Sequence, residues 1–388
     1  MEFRRFNDYR EMIEMVVLAF SFEKKNQGTL EEYLKSLESQ GKRFYGIYDG
    51  ETIVAGCIVF PYKMRLRQSF VPMAGIAMVC SRQDYRGKGG IRQLFTELLL
   101  ELRKDFKVSV LYPFSRDFYR KYGWEVFDRW QYVKFSPGSL TEHESTGIDA
   151  SDMAFPDFDS ISFYKEYART HFNCTLRSEV DWKERLSPVW PDQVDKRIVK
   201  FSKDEKVVGI LDYTLGFNQK EDTSFHSIFT FASQNEEARN AMFTYLRRLS
   251  HQVKEVRMWL PQHFEIWPYI NESPQEHHLR ETSMIRIVDL KRLNGLEILS
   301  EDVRIDMKIE DSQCSWNDGN YRLEIKDNAL SICEGGTPQI EIGIGSLSTV
   351  ISGRESLSRM VELGRAKALA GYVGENIRKS EVFFNETF

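Results

Sequence analysis

The sequence predicts an α+β fold with α/β stretches, laid out in three consecutive parts. Helix and strand signals alternate over the first 135 residues, and a β-β-β-α-β order returns in the middle third. From Ser283 the texture changes to short strands and turns closed by two helices. The length of 388 residues agrees, since domains of about 150 residues make it two or three units.

The elements follow in order. Met12 to Phe20 and Glu31 to Leu37 carry helical apolar patterns. Phe44 to Tyr48 and Thr52 to Phe60 are β-rich, and Asp49-Gly50 between them is hairpin chemistry. Pro72 to Cys80 reads as a further strand. Ile91, Leu94, Phe95, Leu98, Leu99 and Leu102 then form one helical stripe. Val108 to Tyr112 is a strand, Phe118 to Tyr122 a short helix ended by Gly123, and Trp124 to Phe135 is β-like. Apolar periodicity fades over 136–150, where Pro137-Gly138 signals a turn. The first domain is therefore set at 1–143.

The second domain, 144–283, holds helices at Asp159 to His171 and Glu236 to Leu249. Its strands are Lys196 to Phe201, Val207 to Leu215, Ser224 to Phe231 and Glu255 to Leu260. The shared element order suggests duplication at the level of the fold, without a residue-level repeat. The third domain, 284–388, opens on a strand at Met284 to Leu290. Strands near 303–309, 320–326, 329–333 and 340–345 follow, then helices near 346–352 and 356–364. The last nine residues, Ser380 to Phe388, are apolar enough to predict a docked tail.

Composition narrows the function. Hydrophobic residues make up 41% and charged residues 29%, a globular balance. A net charge of −5 speaks against a nucleic-acid partner and suits a cationic substrate better. No apolar run approaches the roughly 18 residues of a membrane span. The charged start and the short stretch Met15 to Phe20 do not predict a signal peptide. Five scattered cysteines without a C-x-x-C predict reduced thiols and a cytoplasmic protein, with no metal site.

One segment carries chemistry. Arg86-Gly87-Lys88-Gly89-Gly90 stands between a strand and an amphipathic helix. The first turn of a helix offers unpaired N–H groups and a positive dipole end, and glycines let the backbone close around a phosphate. Neither the dinucleotide G-x-G-x-x-G spacing nor a G-K-[ST] loop is present.

This loop resembles the R-x-x-G-x-G/A pyrophosphate loop of the GCN5-related N-acetyltransferases (GNATs), with Ile91 where the final small residue stands. Phe118-Tyr119-Arg120-Lys121-Tyr122-Gly123-Trp124-Glu125, about 30 residues on, resembles that family's second landmark. Length, the R-G-K-G-G-I loop and the terminal phenylalanine resemble the enhanced-intracellular-survival (Eis) branch. The resemblance implies two GNAT-like domains, each a mixed central sheet flanked by helices, and a C-terminal sterol-carrier-protein-like α/β domain. The middle domain has Ala232-Ser233-Gln234-Asn235 before its helix, in place of a basic glycine turn, and is expected to be degenerate.

The resemblance also implies roles. Acetyl-CoA would be the co-substrate, with no metal. Its pantetheine arm would meet backbone at Val79, Cys80 and Ser81; Cys80 itself reads as a small buried residue. Its pyrophosphate would lie on Arg86, Gly87, Lys88, Gly89, Gly90, Ile91 and Arg92, and Phe114 and Ser115 would touch the cofactor again. Tyr119 would act as general acid toward the leaving thiolate, while Tyr122 fits an ordinary packing role. The terminal carboxylate of Phe388 would act as general base. The acceptor would be a primary amine on an aminoglycoside-like polyamine or a lysine, near Glu23, Glu31 and Glu32. The acidic residue that the Eis branch places before its terminal phenylalanine is Thr387 here, with Glu386 one earlier. A homo-oligomer, a hexamer, is implied too. The competing reading is a lipid-binding or scaffold protein with a vestigial GNAT domain.

Overall fold

In a computed structural model of the chain, the structure describes residues 1–21, 27–143, 147–171, 174–186, 195–218, 223–374, 377–386 and 388. Two compact units emerge. One comprises Met1–Asp128, Thr282–Phe384 and Phe388; the other comprises Arg129–Glu281 and Asn385–Thr387.

The first unit begins β1 (Glu2–Phe6), α1 (Arg10–Ala19), α2 (Gln27–Ser39), β2 (Arg43–Asp49), β3 (Thr52–Leu66) and β4 (Ser69–Ser81). It continues α3 (Gly90–Leu102), β5 (Val108–Leu111), α4 (Arg116–Arg120) and β6 (Glu125–Val126). The second unit holds β7 (Trp130–Phe135), β8 (Ile148–Met153), α5 (Phe158–Thr170), α6 (Glu179–Leu186), β9 (Asp195–Lys203) and β10 (Lys206–Asn218). It closes with β11 (Thr223–Ser233), α7 (Glu236–Arg248), β12 (Glu255–Pro261) and β13 (Glu276–Arg280). The chain then supplies β14 (Met284–Ile287) and β15 (Val303–Glu310), β16 (Gly319–Lys326), β17 (Ala329–Glu334) and β18 (Ile340–Gly343). Last come α8 (Ile344–Ser352), α9 (Leu357–Glu362) and β19 (Ala366–Ala368).

Three sheets follow from these strands. The first runs β1-β2-β3-β4-β5-β14-β6 and the second β13-β7-β12-β11-β10-β9-β8. Read from opposite ends, the two orders correspond strand for strand. Each sheet takes its penultimate strand from across the boundary that composition suggests. β14, expected to open the third domain, pairs antiparallel with β5 and β6 in the first sheet. β7, expected within the first domain, lies between β12 and β13 in the second. Both strands are largely buried, and a strand's own residues do not say which sheet completes around it.

The predicted stripe on α3 forms much of the first core. Leu94, Phe95, Leu98 and Leu99 are wholly buried, against Ala55, Cys57, Ala74 and Ile76 of the sheet. Truncating one such leucine to alanine costs about 2–5 kcal/mol. The third sheet, β17-β16-β15-β18-β19, belongs to the same unit. Its alternating face of Ile305, Met307, Ile309, Tyr321, Leu323 and Ile325 is buried and its other face is charged. Two buried arginines tie it to the first sheet. Arg67 donates to the carbonyls of Val350, Ile351 and Arg378 at 2.6–2.8 Å, satisfying the last turn of α8. Arg286 on β14 pairs with Asp311 at 2.7 Å.

Candidate active site

β4 carries the site because its neighbours leave it partway. It pairs parallel with β5 from Met73↔Val108 to Ile76↔Leu111, where β5 ends. β4 itself runs on to Ser81. Its register with β3 slips there as well: Ile58 faces Ala77, but Gly56 faces Cys80, so β4 contains one extra residue. Met78 in this bulge has φ +50°, an unusual conformation for methionine. Beyond Ile76 the β5-facing edge of β4 therefore has no partner strand among the described residues, and an extended ligand could pair with its backbone. Val79 and Ser81 are half-buried there, and Cys80 is 4% exposed. Burial pushes the Cys80 thiol up to about 12, consistent with an inert residue.

β4 feeds the glycine turn. A single 3-10 turn, Gln83–Tyr85, leads to Arg86. Gly87 and Gly89 have φ +80° and +85°, and open space lies within 4 Å of where a Cβ would stand on either. Gly89 is the N-cap of α3 and offers no side chain to its amides. The first intrahelical bond is Gln93 N–H to the Gly89 carbonyl, at 3.0 Å. The N–H groups of Gly90, Ile91 and Arg92 thus precede the helical ladder and point outward. Gly90 sits 3.5 Å, at its missing Cβ, from Ala55, which packs this end of α3 on β3. Arg86, Lys88 and Arg92 are exposed, and the Lys88 ammonium lies 4.4 Å from the Tyr85 ring. Outward amides and exposed cations thus make this helix end electropositive and open to solvent.

Across the gap, Phe114 and Ser115 follow β5. Phe114 is 73% exposed, and Ser115 caps α4 by accepting from Phe118 N–H. Tyr119, on α4, is 3% exposed and packs its ring against Phe95, Phe114 and Phe118 at 5.2–6.0 Å. Among the described residues its hydroxyl takes no hydrogen-bond partner. Burial, and then the nearby Cys57 thiol, raise the phenol well above the ordinary tyrosine range. Tyr122 packs 4.8 Å from Phe95 in the same cluster, as expected of a filler.

Phe388 reaches this sheet from its other face. Ala74 and Ile76 point toward α3, so Gly75 between them points away. A Cβ on Gly75 would stand 2.9 Å from the Phe388 ring. That ring lies 5.6–5.7 Å from Phe60, Tyr62 and Tyr112. Lys42, buried at 6% exposure, holds its ammonium 5.0 Å from the Phe60 and Tyr62 rings. Tyr119 and Phe388 therefore flank the same stretch of β4 from opposite faces. Glu31 and Glu32 lie on α2, half-buried and exposed respectively. Glu23 and Thr387 lie outside the described residues.

Sequence reasoning missed the bulge at Met78, because a positive φ there has no glycine to announce it. It also missed Gly75, whose bare Cα makes room for the Phe388 ring.

The second sheet repeats the parallel pair, β11 with β12, but its following helix is closed to anions. Asn235 caps α7 with its own carboxamide, and Glu236 and Glu237 occupy the first turn. Among the described residues no group of three or more His, Cys, Asp or Glu could hold a metal. No helix among them is long and apolar enough to cross a membrane.

Comparison with known proteins agrees with this layout. Residues 5–127 and 174–287 each match a model of an acetyltransferase (GNAT) domain, and residues 291–386 match a sterol carrier protein domain. No curated protein matches the sequence. Among solved structures, the chain is similar to a GCN5-related N-acetyltransferase from Anabaena variabilis (18% identity, all of both chains covered, TM-score 0.87). It is similar to a probable N-acyltransferase from Enterococcus faecalis (20% identity, covering 100% of this chain and 99% of that one, TM-score 0.86). It is also similar to Eis1 from Mycobacterium abscessus (14% identity, all of both chains covered, TM-score 0.76).

Proposed function

We propose that this enzyme, which carries two GNAT acetyltransferase domains and a sterol-carrier-like domain, moves an acetyl group from acetyl-CoA to a primary amine in a ternary complex. The observation that carries the proposal is the gap beyond Ile76↔Leu111, with an open helix end on one side of it and Tyr119 on the other. Gly87 to Arg92 hold the diphosphate, and the backbone of Val79 to Ser81 lines the pantetheine arm. Phe114 and Ser115 bound the arm from the β5 side. Bound acetyl-CoA supplies the thioester that the amine attacks.

Tyr119 then gives its proton to the departing sulfur. An ordinary phenol titrates near 10 and a thiol near 8.5, so the transfer is uphill by about 2 kcal/mol. The burial that raises Tyr119 acts on a thiolate in the same cavity in the same direction, and the phenol stays protonated throughout the neutral range. The α-carboxylate of Phe388 receives the amine's proton, directly or through one water. Its ring, seated against Gly75, sets where that carboxylate can lie.

The acceptor is a polyamine of the aminoglycoside kind or a lysine side chain, drawn by the net negative charge. The soluble enzyme acts in the cytoplasm as a homo-oligomer, a hexamer in this proposal. Against a lipid carrier stands the third domain's core. Met307, Ile309, Ile325, Ile340, Leu347 and Val350 are each at most 1% exposed, so their own packing fills the space a lipid would need.

An amine panel with acetyl-CoA and detection of free thiol tests the activity. Chains ending at Phe388 and chains extended beyond it should differ sharply in turnover. An extended chain of full activity would remove the base. A melting temperature raised by fatty ligands and unmoved by acetyl-CoA would favour the lipid carrier.

A further inference from the structure

The second unit contains a buried ionic cluster that the transfer reaction does not use. Arg177 is fully buried, Glu386 is 1% exposed, and Arg185 and Asp212 are each 5% exposed. Arg177 Nε donates to Glu386 at 2.9 Å, and Arg185 reaches Glu386 at 3.2 Å and Asp212 at 2.8 Å. The Thr175 hydroxyl also donates to Glu386. Both guanidiniums donate to Thr230, at 2.9 and 3.1 Å. The backbone is held too: the Asn385 carbonyl accepts from Arg177 at 3.0 Å and from Arg185 at 3.4 Å. The Asn385 side chain meets the Tyr164 hydroxyl at 3.2 Å, and the Arg177 guanidinium stacks 4.3 Å over that tyrosine's ring.

The location is informative. In the second sheet, parallel pairing of β11 with β12 stops at Ile228↔Met258. Immediately after, Asp212 faces Thr230 while Tyr213 faces Ile228, so Phe229 is an extra residue in β11. This repeats the stop and the bulge found in β4 of the first sheet. At the corresponding place the second sheet holds the arginine cluster and the chain's own residues 385 and 386. Burial works against the Glu386 charge, yet Arg177 and Arg185 outweigh it and keep the carboxyl below its usual range. A carboxylate with that many charge-assisted partners is fixed in position.

We infer that the degenerate GNAT-like domain serves as a clamp for the terminal segment, and that Arg177, Arg185 and Glu386 are positioning residues for Phe388. Two peptide units separate Glu386 from Phe388, a reach of about 7 Å at full extension. Fixing residue 386 therefore confines the last residue to a small volume, and releasing it lets the terminus wander. The inference rests on the proposed role of the Phe388 carboxylate.

Glu386→Gln in the full chain tests it, beside a chain lacking Phe388. The readouts are kcat, KM for acetyl-CoA, the melting temperature, and the rate at which carboxypeptidase releases phenylalanine. The expected result is faster release, kcat down about tenfold or more with KM for acetyl-CoA unchanged, and a rate still above that of the chain without Phe388. If Glu386→Gln does not fold, Thr175→Ala, which removes a single donor, takes its place with the same readouts. A terminus as resistant as wild type overturns the clamp. Faster release with kcat intact, while loss of Phe388 abolishes turnover, overturns the positioning role alone. Full turnover without Phe388 removes the base itself, and this inference with it.

Discussion

Gly75→Ala converts one contact into a kinetic test. Gly75 lies in regular strand, so alanine meets no backbone strain, and the change in stability should stay within about 1 kcal/mol. The new Cβ would stand 2.9–3.0 Å from three carbons of the Phe388 ring. Ordinary carbon contacts lie at about 3.5–4.0 Å, so the ring must retreat by about 0.5–1.1 Å. A displacement of about 1 Å at a reacting group can cost about 100-fold, equivalent to about 2.7 kcal/mol in the barrier. Initial rates at saturating amine, followed by thiol release, should show that loss in kcat. KM for acetyl-CoA should be unchanged, because the cradle at 86–92 is untouched. Combining Gly75→Ala with deletion of Phe388 should cost no more than the deletion alone, since both act through one ring. Wild-type turnover in a folded Gly75→Ala enzyme would refute the placement of the terminal carboxylate, and additive effects would refute the route through the ring.

Two further substitutions probe the two sides of the gap. Tyr119→Phe keeps the ring packing and should leave the melting temperature nearly unchanged while kcat falls about 10²- to 10⁴-fold; unchanged turnover assigns the proton to another donor. In the wild-type enzyme, the raised phenol means that raising the pH toward 9 brings no loss from Tyr119, since loss begins only as pH approaches the folded value. Gly89→Asp places a carboxylate at the N-cap of α3, where it favours the helix by about 0.5–1 kcal/mol against the strain of a positive φ. The same charge repels a diphosphate, so the thermal shift with acetyl-CoA should shrink while the apo melting temperature holds; an undiminished shift would move the diphosphate elsewhere.

Local elements were legible and long-range choices were not. The stripe from Leu94 to Leu102 specifies α3 because residues 3 and 4 apart share a helical face. The Asp49-Gly50 turn specifies the β2–β3 hairpin for a similarly local reason, with Gly50 at φ +62°. The glycine turn at 86–90 was visible because its glycines announce the positive φ they adopt. Strand membership was not, since the short strand Met284–Ile287 pairs with β5 across more than 170 residues of chain. The charge cluster was equally hidden: Arg177, just before α6, and Arg185, in its last turn, look like ordinary surface arginines until Glu386, some 200 positions on, is found between them. The edge strands β1, β8, β13 and β19 were also missed, being short or polar and without clear alternation.

The exchange of β14 and β7 also orders events at the ribosome. β5 is synthesised roughly 170 residues before the strand that covers its far edge. At about 5–20 residues per second, that edge waits about 9–35 s for its neighbour. Residues 129 to 281 already contain every strand of their own sheet, so that sheet can form while the nascent first sheet still exposes an unpaired edge to chaperones and to other chains. Messages truncated anywhere before codon 284 would leave the acetyl-transfer sheet with that edge permanently open.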